Sequence, residues 1–142
     1  KAIRRQRQMC IRDSPYIVPV NFGFTMQDDQ LVLFFHGAKV GKKCDLLQKN
    51  PHISFEVEGK QQLIPPNGAA SCTAGFAYES VIGQGIAELA PEEKKEDLLK
   101  KLLEHYRIPF QSFSQAHLER TAVYQIIVKQ YTAKRRPIPQ GR

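Results

Sequence analysis

Apolar and polar residues alternate along several short segments of this 142-residue chain, which predicts a protein built mainly from β-strands. These segments are rich in β-branched and aromatic residues, and turn residues separate them. The predicted strands are 8–12, 16–25, 31–36, 53–57, 76–89 and 121–132. Strands joined in hairpins, with few helices between them, favour a small barrel over an alternating βαβ sheet.

Proline and glycine indicate where these strands are interrupted. Pro19 lies inside the second strand and predicts a sheet edge or a bulge, because proline has no N–H for a ladder hydrogen bond. Residues 27–30 predict a hairpin turn. Gly83 and Gly85 indicate a strand that bends or is closely approached by another backbone. Residues 58–71 contain Pro, Asn and Gly in sequence and predict a surface loop.

Three segments are predicted to be helical. Residues 41–48 end before Asn50-Pro51, which is a common helix stop. Residues 91–106 begin with proline and two glutamates and have a stripe of leucines, which we expect to pack in the core or against a second subunit. Residues 114–120 predict a short third helix.

The charge is concentrated at the chain ends. The formal net charge is +7, yet all 14 acidic residues lie within 13–133, together with only 12 Lys and Arg. The basic excess lies in residues 1–12 and 134–142, and we predict a single domain over 1–142 with these two basic terminal segments. Charge in this position is typical of solvated ends, which disfavours a nucleic-acid partner, although basic tails can bind polyanions in a salt-sensitive manner.

Several classes of protein are disfavoured. The three cysteines are widely spaced, which predicts a reduced, cytoplasmic chain. No zinc-ligand spacing, HExxH motif, nucleophile elbow or Rossmann fingerprint is present, so no metal site is predicted. No apolar run approaches the roughly 20 residues of a membrane span, and no signal peptide is expected.

The strongest candidate site lies where the third strand meets the first helix, in Phe35-His36-Gly37-Ala38-Lys39-Val40-Gly41-Lys42-Lys43. A helix N-terminus already has partial positive charge and N–H groups without intrahelical acceptors. Two lysines there are unfavourable unless an anion lies between them and the amides, and a bound phosphate would satisfy both. Adjacent helical residues project about 100° apart, so Lys42 and Lys43 should not contact one phosphate equally. Lys39 is a third candidate.

Four segments in order have a more specific pattern. They are Tyr16-Ile17-Val18-Pro19-Val20-Asn21-Phe22-Gly23-Phe24, the strand–helix segment given above, Asn50-Pro51-His52-Ile53-Ser54-Phe55-Glu56-Val57, and Tyr78-Glu79-Ser80-Val81-Ile82-Gly83-Gln84-Gly85. Together they resemble the pyridoxamine 5′-phosphate oxidase-like FMN-binding split barrels, nearest to the 5-nitroimidazole resistance (Nim-type) flavoproteins. The resemblance extends over about 16–106.

The resemblance implies a six-stranded antiparallel split β-barrel with a few flanking helices, in a homodimer with FMN at the interface. It implies that the segment after the third strand binds the FMN phosphate, and that the Val-Pro-x-Asn and Ser-Val-Ile segments lie near the isoalloxazine ring. The implied cofactor-binding residues are Val18, Pro19, Val20, Asn21, His36, Gly37, Ala38, Lys39, Gly41, Lys42, Lys43, Ser80, Val81 and Ile82. No catalytic residue is identified.

Several of these residues have a structural alternative. One of Lys42 and Lys43 could be an ordinary solvated residue of the helix. His36 could simply close a strand. Asn21, on an otherwise apolar strand, needs a partner, which a flavin or a backbone group in a bulge would supply. Ser80 could be an ordinary strand hydroxyl.

The sequence therefore predicts an FMN-dependent oxidoreductase of the pyridoxamine 5′-phosphate oxidase-like or nitroimidazole reductase type, acting on a small planar substrate, with a nicotinamide as a candidate electron donor. The early histidine of the Nim-type subgroup has no counterpart, since the first histidine is His36. Oxidation of pyridoxamine phosphate is disfavoured, because no second basic cluster suits a substrate phosphate. The alternatives are a non-catalytic flavin-binding protein, a haem-binding split barrel with a histidine ligand, and a nucleic-acid-associated protein.

Overall fold

The computed structural model describes the backbone of residues 4–8, and backbone and side chains of 15–68 and 70–139. The predicted strand 8–12 falls largely outside these residues. The described strands are β1 (Arg4–Gln8), β2 (Tyr16–Pro19), β3 (Phe22–Gln27), β4 (Gln30–Ala38), β5 (His52–Ile64), β6 (Gly75–Leu89) and β7 (Thr121–Arg136). The helices are α1 (Lys42–Lys49), α2 (Glu92–His105) and α3 (Gln115–Arg120), with a 3₁₀ turn at Ser71–Thr73.

The described strands form one antiparallel sheet in the order β2-β1-β5-β6-β7-β4-β3. This architecture, with helices at its flanks, confirms the predicted α+β split barrel. The predicted strand 16–25 is divided into β2 and β3, because β2 ends at Pro19. β2 is the last strand at one side of the sheet order, which confirms the predicted edge position of Pro19.

Two strands are longer than predicted. The loop predicted over 58–71 is wrong for its first half, since β5 continues to Ile64 and pairs with β6. The pairing includes a register shift between Gly59 and Gln62, which the polar sequence does not indicate. β7 continues to Arg136, where it pairs with Tyr78, so the start of the basic segment 134–142 lies in the sheet.

Two predicted local features are confirmed. Asp28 and Asp29 form the β3–β4 turn with φ values of 47° and 62°, the left-handed conformation that two-residue hairpins favour. On β6, a Cβ at Gly85 would lie 2.6 Å from the Ile127 carbonyl oxygen, and one at Gly83 would lie 2.9 Å from that of Gln130. Both glycines therefore allow a close backbone approach, and the register shifts between Gln84 and Gly85.

Two apolar clusters cover the two faces of the sheet. Successive residues of β4 point to opposite faces, so Leu33 and Phe35 join one cluster and Phe34 joins the other. Helix α1 adds Cys44 and Leu47 to the first cluster. Helix α2 packs its leucine stripe on the second cluster, which confirms the stripe as core; the buried leucines are Leu98, Leu99 and Leu102. None of the helices within the described residues is long and apolar enough to cross a membrane.

Candidate functional site

The strand–turn–helix unit predicted from the sequence is present. β4 ends at Ala38, and Gly41 precedes α1 with φ 127°, a value that strongly favours glycine. The Gly41 carbonyl accepts the backbone N–H of Asp45 at 3.2 Å, which starts the helical hydrogen bonds. Within the described part of the chain, no side chain caps this N-terminus. The first-turn N–H groups, which have no intrahelical acceptor, therefore lie beside the lysines.

Lys43 lies across the end of β4. Its ammonium nitrogen occupies the space that a Cβ on Gly37 would fill. It is 5.4 Å from the centroid of the Phe35 ring, within the range of a cation–π contact. We call the arrangement of Gly37, Phe35 and Lys43 the cradle. It places a positive charge at the helix start, and because residue 37 has no side chain, there is space for the Lys43 ammonium.

Lys42 points elsewhere, as the predicted angular separation of adjacent helical residues requires. Its ammonium nitrogen is 4.8 Å from the centroid of the Tyr16 ring. Tyr16 is the first residue of β2, so this contact brings the start of β2 to the start of α1. The basic helix end and the Val-Pro-x-Asn segment are therefore neighbours within one chain.

Lys39 and Ala38 make contacts of another kind. The ammonium of Lys39 lies 3.7 Å from a carboxylate oxygen of Glu92 on α2, and both side chains are well exposed. A hydrogen bond from Lys95, and to a smaller extent the charge of Lys39, lower the pKa of Glu92. The carbonyl of Ala38 accepts a hydrogen bond from the Cys44 thiol at 3.3 Å. Lys39 is thus directed toward α2, and Ala38 fixes α1 to the strand end.

His36 is half-buried and lies on the opposite side of β4 from Gly37, because strand neighbours point to opposite faces. Burial, and then the charges of Lys43 and His117, lower the pKa of His36, so its neutral form is favoured. Its Nδ1 is buried and has no hydrogen-bond partner among the described residues. A buried polar nitrogen in this state suits a polar group supplied by a ligand.

The Val-Pro-x-Asn segment alternates in exposure. Val18 and Val20 are half-buried, whereas Pro19 and Asn21 are exposed. Asn21 lies between β2 and β3, so the expectation that it needs a partner inside an apolar strand is wrong: water can satisfy it. A contact between Asn21 and a flavin stays a prediction.

The Ser-Val-Ile segment lies on β6 and is not brought to β2. Val81 packs against the first cluster, while Ile82 is 52% exposed on the other face. Pro19 and Ile82 belong to one row of paired residues but are separated by β1 and β5. Three strand spacings correspond to about 14 Å. Within one chain, the two segments are therefore too far apart to contact the same part of a ring.

A cavity of about 700 Å³ opens between β3, β4, β5, β6 and β7, beside the end of α2. Its lining includes Ser80 and Val81 but neither Lys42 nor Lys43. Sequence reasoning missed it, because its aromatic residues come from three strands and a helix that are far apart in the chain. The lining rings are Phe22, Phe24, Phe55, His105 and Tyr131. The available signal was the run of alternate apolar residues in β3, where Phe24 and Met26 remain exposed.

The cavity adjoins the basic helix end. Phe22 lines the cavity and is paired with Phe35 across β3 and β4. Phe35 in turn has the Lys43 ammonium over its ring. One cross-strand pair thus separates the cavity from the cradle, so an elongated ligand could contact both.

Comparisons with known proteins agree with this architecture. A family model described as pyridoxamine 5′-phosphate oxidase matches residues 9–135, which is most of the chain. No curated protein has a matching sequence.

Solved structures of similar fold include a candidate 5-nitroimidazole antibiotic resistance protein from Bacteroides thetaiotaomicron, with a TM-score of 0.75 and 24% identity over 92% of this chain and 75% of that one. The flavocytochrome Anf3 from Azotobacter vinelandii has a TM-score of 0.71 and 21% identity over 96% of this chain and 63% of its own length. A FAD- and haem-binding protein from Mycobacterium smegmatis has a TM-score of 0.71 and 16% identity, covering 99% and 68%.

Proposed function

The chain belongs to the pyridoxamine 5′-phosphate oxidase family, and on that premise we propose that it is an FMN-dependent oxidoreductase acting on a small planar molecule. The observation that supports this most directly is the cradle formed by Gly37, Phe35 and Lys43 at the start of α1. It combines a fixed cation, a backbone without a side chain and the N–H groups of a first helical turn. These features fit a phosphate monoester.

The residues around the cradle fit the remainder of FMN. Lys42 holds the start of β2 against the helix N-terminus, so a cofactor anchored there would lie along Val18 and Pro19. His36 lies on the opposite side of β4 from Gly37, so its unpartnered nitrogen does not face the cradle, and a contact between His36 and FMN stays a prediction. FMN, when bound, supplies two-electron redox chemistry. The chain's own contribution is to bind the phosphate, orient the ring and leave one face accessible, so a protein-derived acid or base is not required.

We extend the proposal to a homodimer with FMN at the interface. Within one chain, Ile82 is about 14 Å from Pro19 across the sheet, estimated from the strand spacing. A second copy would let the Ser80–Ile82 segment of one chain approach β2 of the other. Ile17 and Ile82 are 50% and 52% exposed, and a dimer would give these apolar side chains a surface to bury against.

The identity of the flavin is part of the proposal. Among the solved structures of similar fold, one is a flavocytochrome and another is a protein that binds FAD and haem. FMN is preferred here because the described cradle provides for one terminal phosphate. Cytoplasmic location is also proposed, and it is supported by the free thiols of Cys44 and Cys72.

The test is to purify the protein, record its visible spectrum and identify the released cofactor by mass. We expect a yellow protein with FMN, sedimenting as a dimer. Bound flavin that is reduced by NADH or NADPH and reoxidised by a nitroaromatic acceptor would support the oxidoreductase. Flavin that neither donor reduces would indicate a non-catalytic flavin protein, and a Soret band in place of flavin would contradict the proposal.

A further inference from the structure

We propose that Tyr124 is the residue that positions Lys43 for phosphate binding, and that it acts through two neighbours of that lysine. Tyr124 lies on β7 and belongs to the buried first cluster, with 8% of its surface exposed. It is a positioning residue, because two of its contacts lead to the cradle. The inference rests on the proposed function, since it takes the cradle as the site of the FMN phosphate.

The first contact is a stack of two rings. Tyr124 pairs with Phe35 across β7 and β4, so both side chains point to the same face of the sheet. Their ring centroids are 5.3 Å apart, and the ring planes differ by 15°. The Lys43 ammonium lies 5.4 Å from the centroid of the same Phe35 ring. Tyr124 therefore fixes the ring over which the cation of the cradle lies.

The second contact connects β7 to the first turn of α1. Cys44 follows Lys43 in the sequence, is 3% exposed, and donates its thiol hydrogen to the Ala38 carbonyl at 3.3 Å. Burial, and then a hydrogen bond with the Cys44 side chain, raise the pKa of Tyr124 to about 12. The hydroxyl is therefore protonated at neutral pH and donates to the sulfur. Two hydrogen bonds thus connect Tyr124, through Cys44, to the end of β4.

The hydroxyl group distinguishes this role from ordinary core packing. A phenylalanine at residue 124 would keep the stack on Phe35 and would bury no polar atom. A buried hydroxyl costs free energy unless it is hydrogen-bonded, and Tyr124 makes its hydrogen bond to the residue next to the cradle lysine. In the described part of the chain no side chain caps that helical turn, so this link helps to fix it. Loss of the hydroxyl should therefore affect the phosphate and not the flavin ring.

The experiment separates phosphate binding from general stability. FMN and riboflavin, which differ in the phosphate, are titrated into apoprotein of the wild type and Tyr124→Phe, and flavin fluorescence gives both affinities. Tyr124→Phe should weaken FMN binding about three- to tenfold, the size expected for one hydrogen bond, and leave riboflavin binding unchanged. The matched control is Tyr78→Phe, which removes a hydroxyl where β6 pairs with Arg136 at the other end of β7. It should change neither affinity.

Variants of Cys44 test the same link without altering Tyr124. Cys44→Ala should lower FMN affinity by a similar factor, and Tyr124→Phe should add no further loss in that background. Cys44→Ser keeps a donor and an acceptor at this position, so it should retain most of the FMN affinity that Cys44→Ala loses. Additive losses from Tyr124→Phe and Cys44→Ala, or a Cys44→Ser variant that binds FMN as weakly as Cys44→Ala, would overturn the inference.

Failure of this inference differs from failure of the proposed function. An unchanged FMN affinity in Tyr124→Phe, together with a loss in Lys43→Ala, would overturn the role of Tyr124 and keep the phosphate site. Equal losses for FMN and riboflavin in Tyr124→Phe would also overturn it, because they would indicate general packing. If Lys43→Ala itself binds FMN as tightly as the wild type, the proposed phosphate site is wrong, and this inference is wrong with it.

Discussion

The ammonium of Lys43 occupies the position that a side chain on Gly37 would take. These residues are on different elements, one near the end of β4 and the other in the first turn of α1. Glycine leaves here the space that the flexible end of the Lys43 side chain fills, and no left-handed backbone angle requires it. The contact brings a cation against a strand end, next to N–H groups that have no intrahelical acceptor.

Gly37→Ala tests this relationship. The added methyl group should displace Lys43 and cost one charge-assisted contact to the FMN phosphate, so FMN affinity should fall about tenfold or more. Titration of the apoprotein with FMN, followed by flavin fluorescence, measures the change. Because both substitutions remove the same contact, the double variant Gly37→Ala/Lys43→Ala should bind FMN no more weakly than Lys43→Ala alone. Additive losses would show that Gly37 acts in some other way.

Lys39 provides a contrast among the three candidate lysines. Its ion pair with Glu92 is exposed and has a separation of 3.7 Å, so it should contribute less than about 1 kcal/mol to stability. Since the pair directs Lys39 toward α2, Lys39→Ala should change FMN affinity by less than about twofold. A loss equal to that of Lys43→Ala, measured in the same titration, would place Lys39 on the phosphate.

His36 predicts a pH dependence of stability. Its pKa is lowered in the folded state from the ordinary value of 6.5, so the unfolded chain binds the proton more readily. Stability should therefore decrease as the pH falls below 6.5 and through the lower pKa of the folded state.

Urea unfolding of the wild type and His36→Gln across this pH range measures the effect. The difference in unfolding free energy between the two should narrow as the pH falls. His52→Gln, at an exposed position of β5, is the control and should keep the wild-type slope. If the unfolding free energy of His36→Gln depends on pH as steeply as that of the wild type, the lowered pKa of His36 in the folded state is contradicted.

Gly85→Ala should destabilise the fold without acting on the cofactor. A Cβ there would meet the Ile127 carbonyl at 2.6 Å, and backbone cannot yield as a flexible side chain can. We expect a loss of about 1–3 kcal/mol in unfolding free energy by denaturant titration. Gly59→Ala is the matched control on the neighbouring strand, because nothing lies within 4 Å of its added methyl group. Equal stabilities for the two variants would show that β6 can move away from β7.

The sequence predicts the structure correctly where the local chemistry of a few neighbouring residues determines it. The turn at Asp28 and Asp29, the helix after Gly41 and the close approach at Gly85 were predicted from residue types that favour one backbone conformation. The divergence of Lys42 and Lys43 also followed from helix geometry alone.

The remainder depends on pairing between distant segments. Polar residues of 58–64 resemble a loop, yet they form a strand because β6 supplies hydrogen-bond partners. Asn21 was placed on a strand, but Pro19 ends that strand before it. The cavity was not foreseen, since Phe22, Phe55 and Tyr131 are far apart in sequence and meet only when the sheet closes around them.

The central claim is that the start of α1 binds the phosphate of FMN, and titration of FMN into wild-type and Lys42→Ala/Lys43→Ala apoprotein tests it most directly. The account predicts that the double variant remains folded and binds FMN more weakly by roughly 2–4 kcal/mol, while riboflavin, which has no phosphate, binds both proteins equally. The same FMN affinity in the variant and the wild type would contradict it.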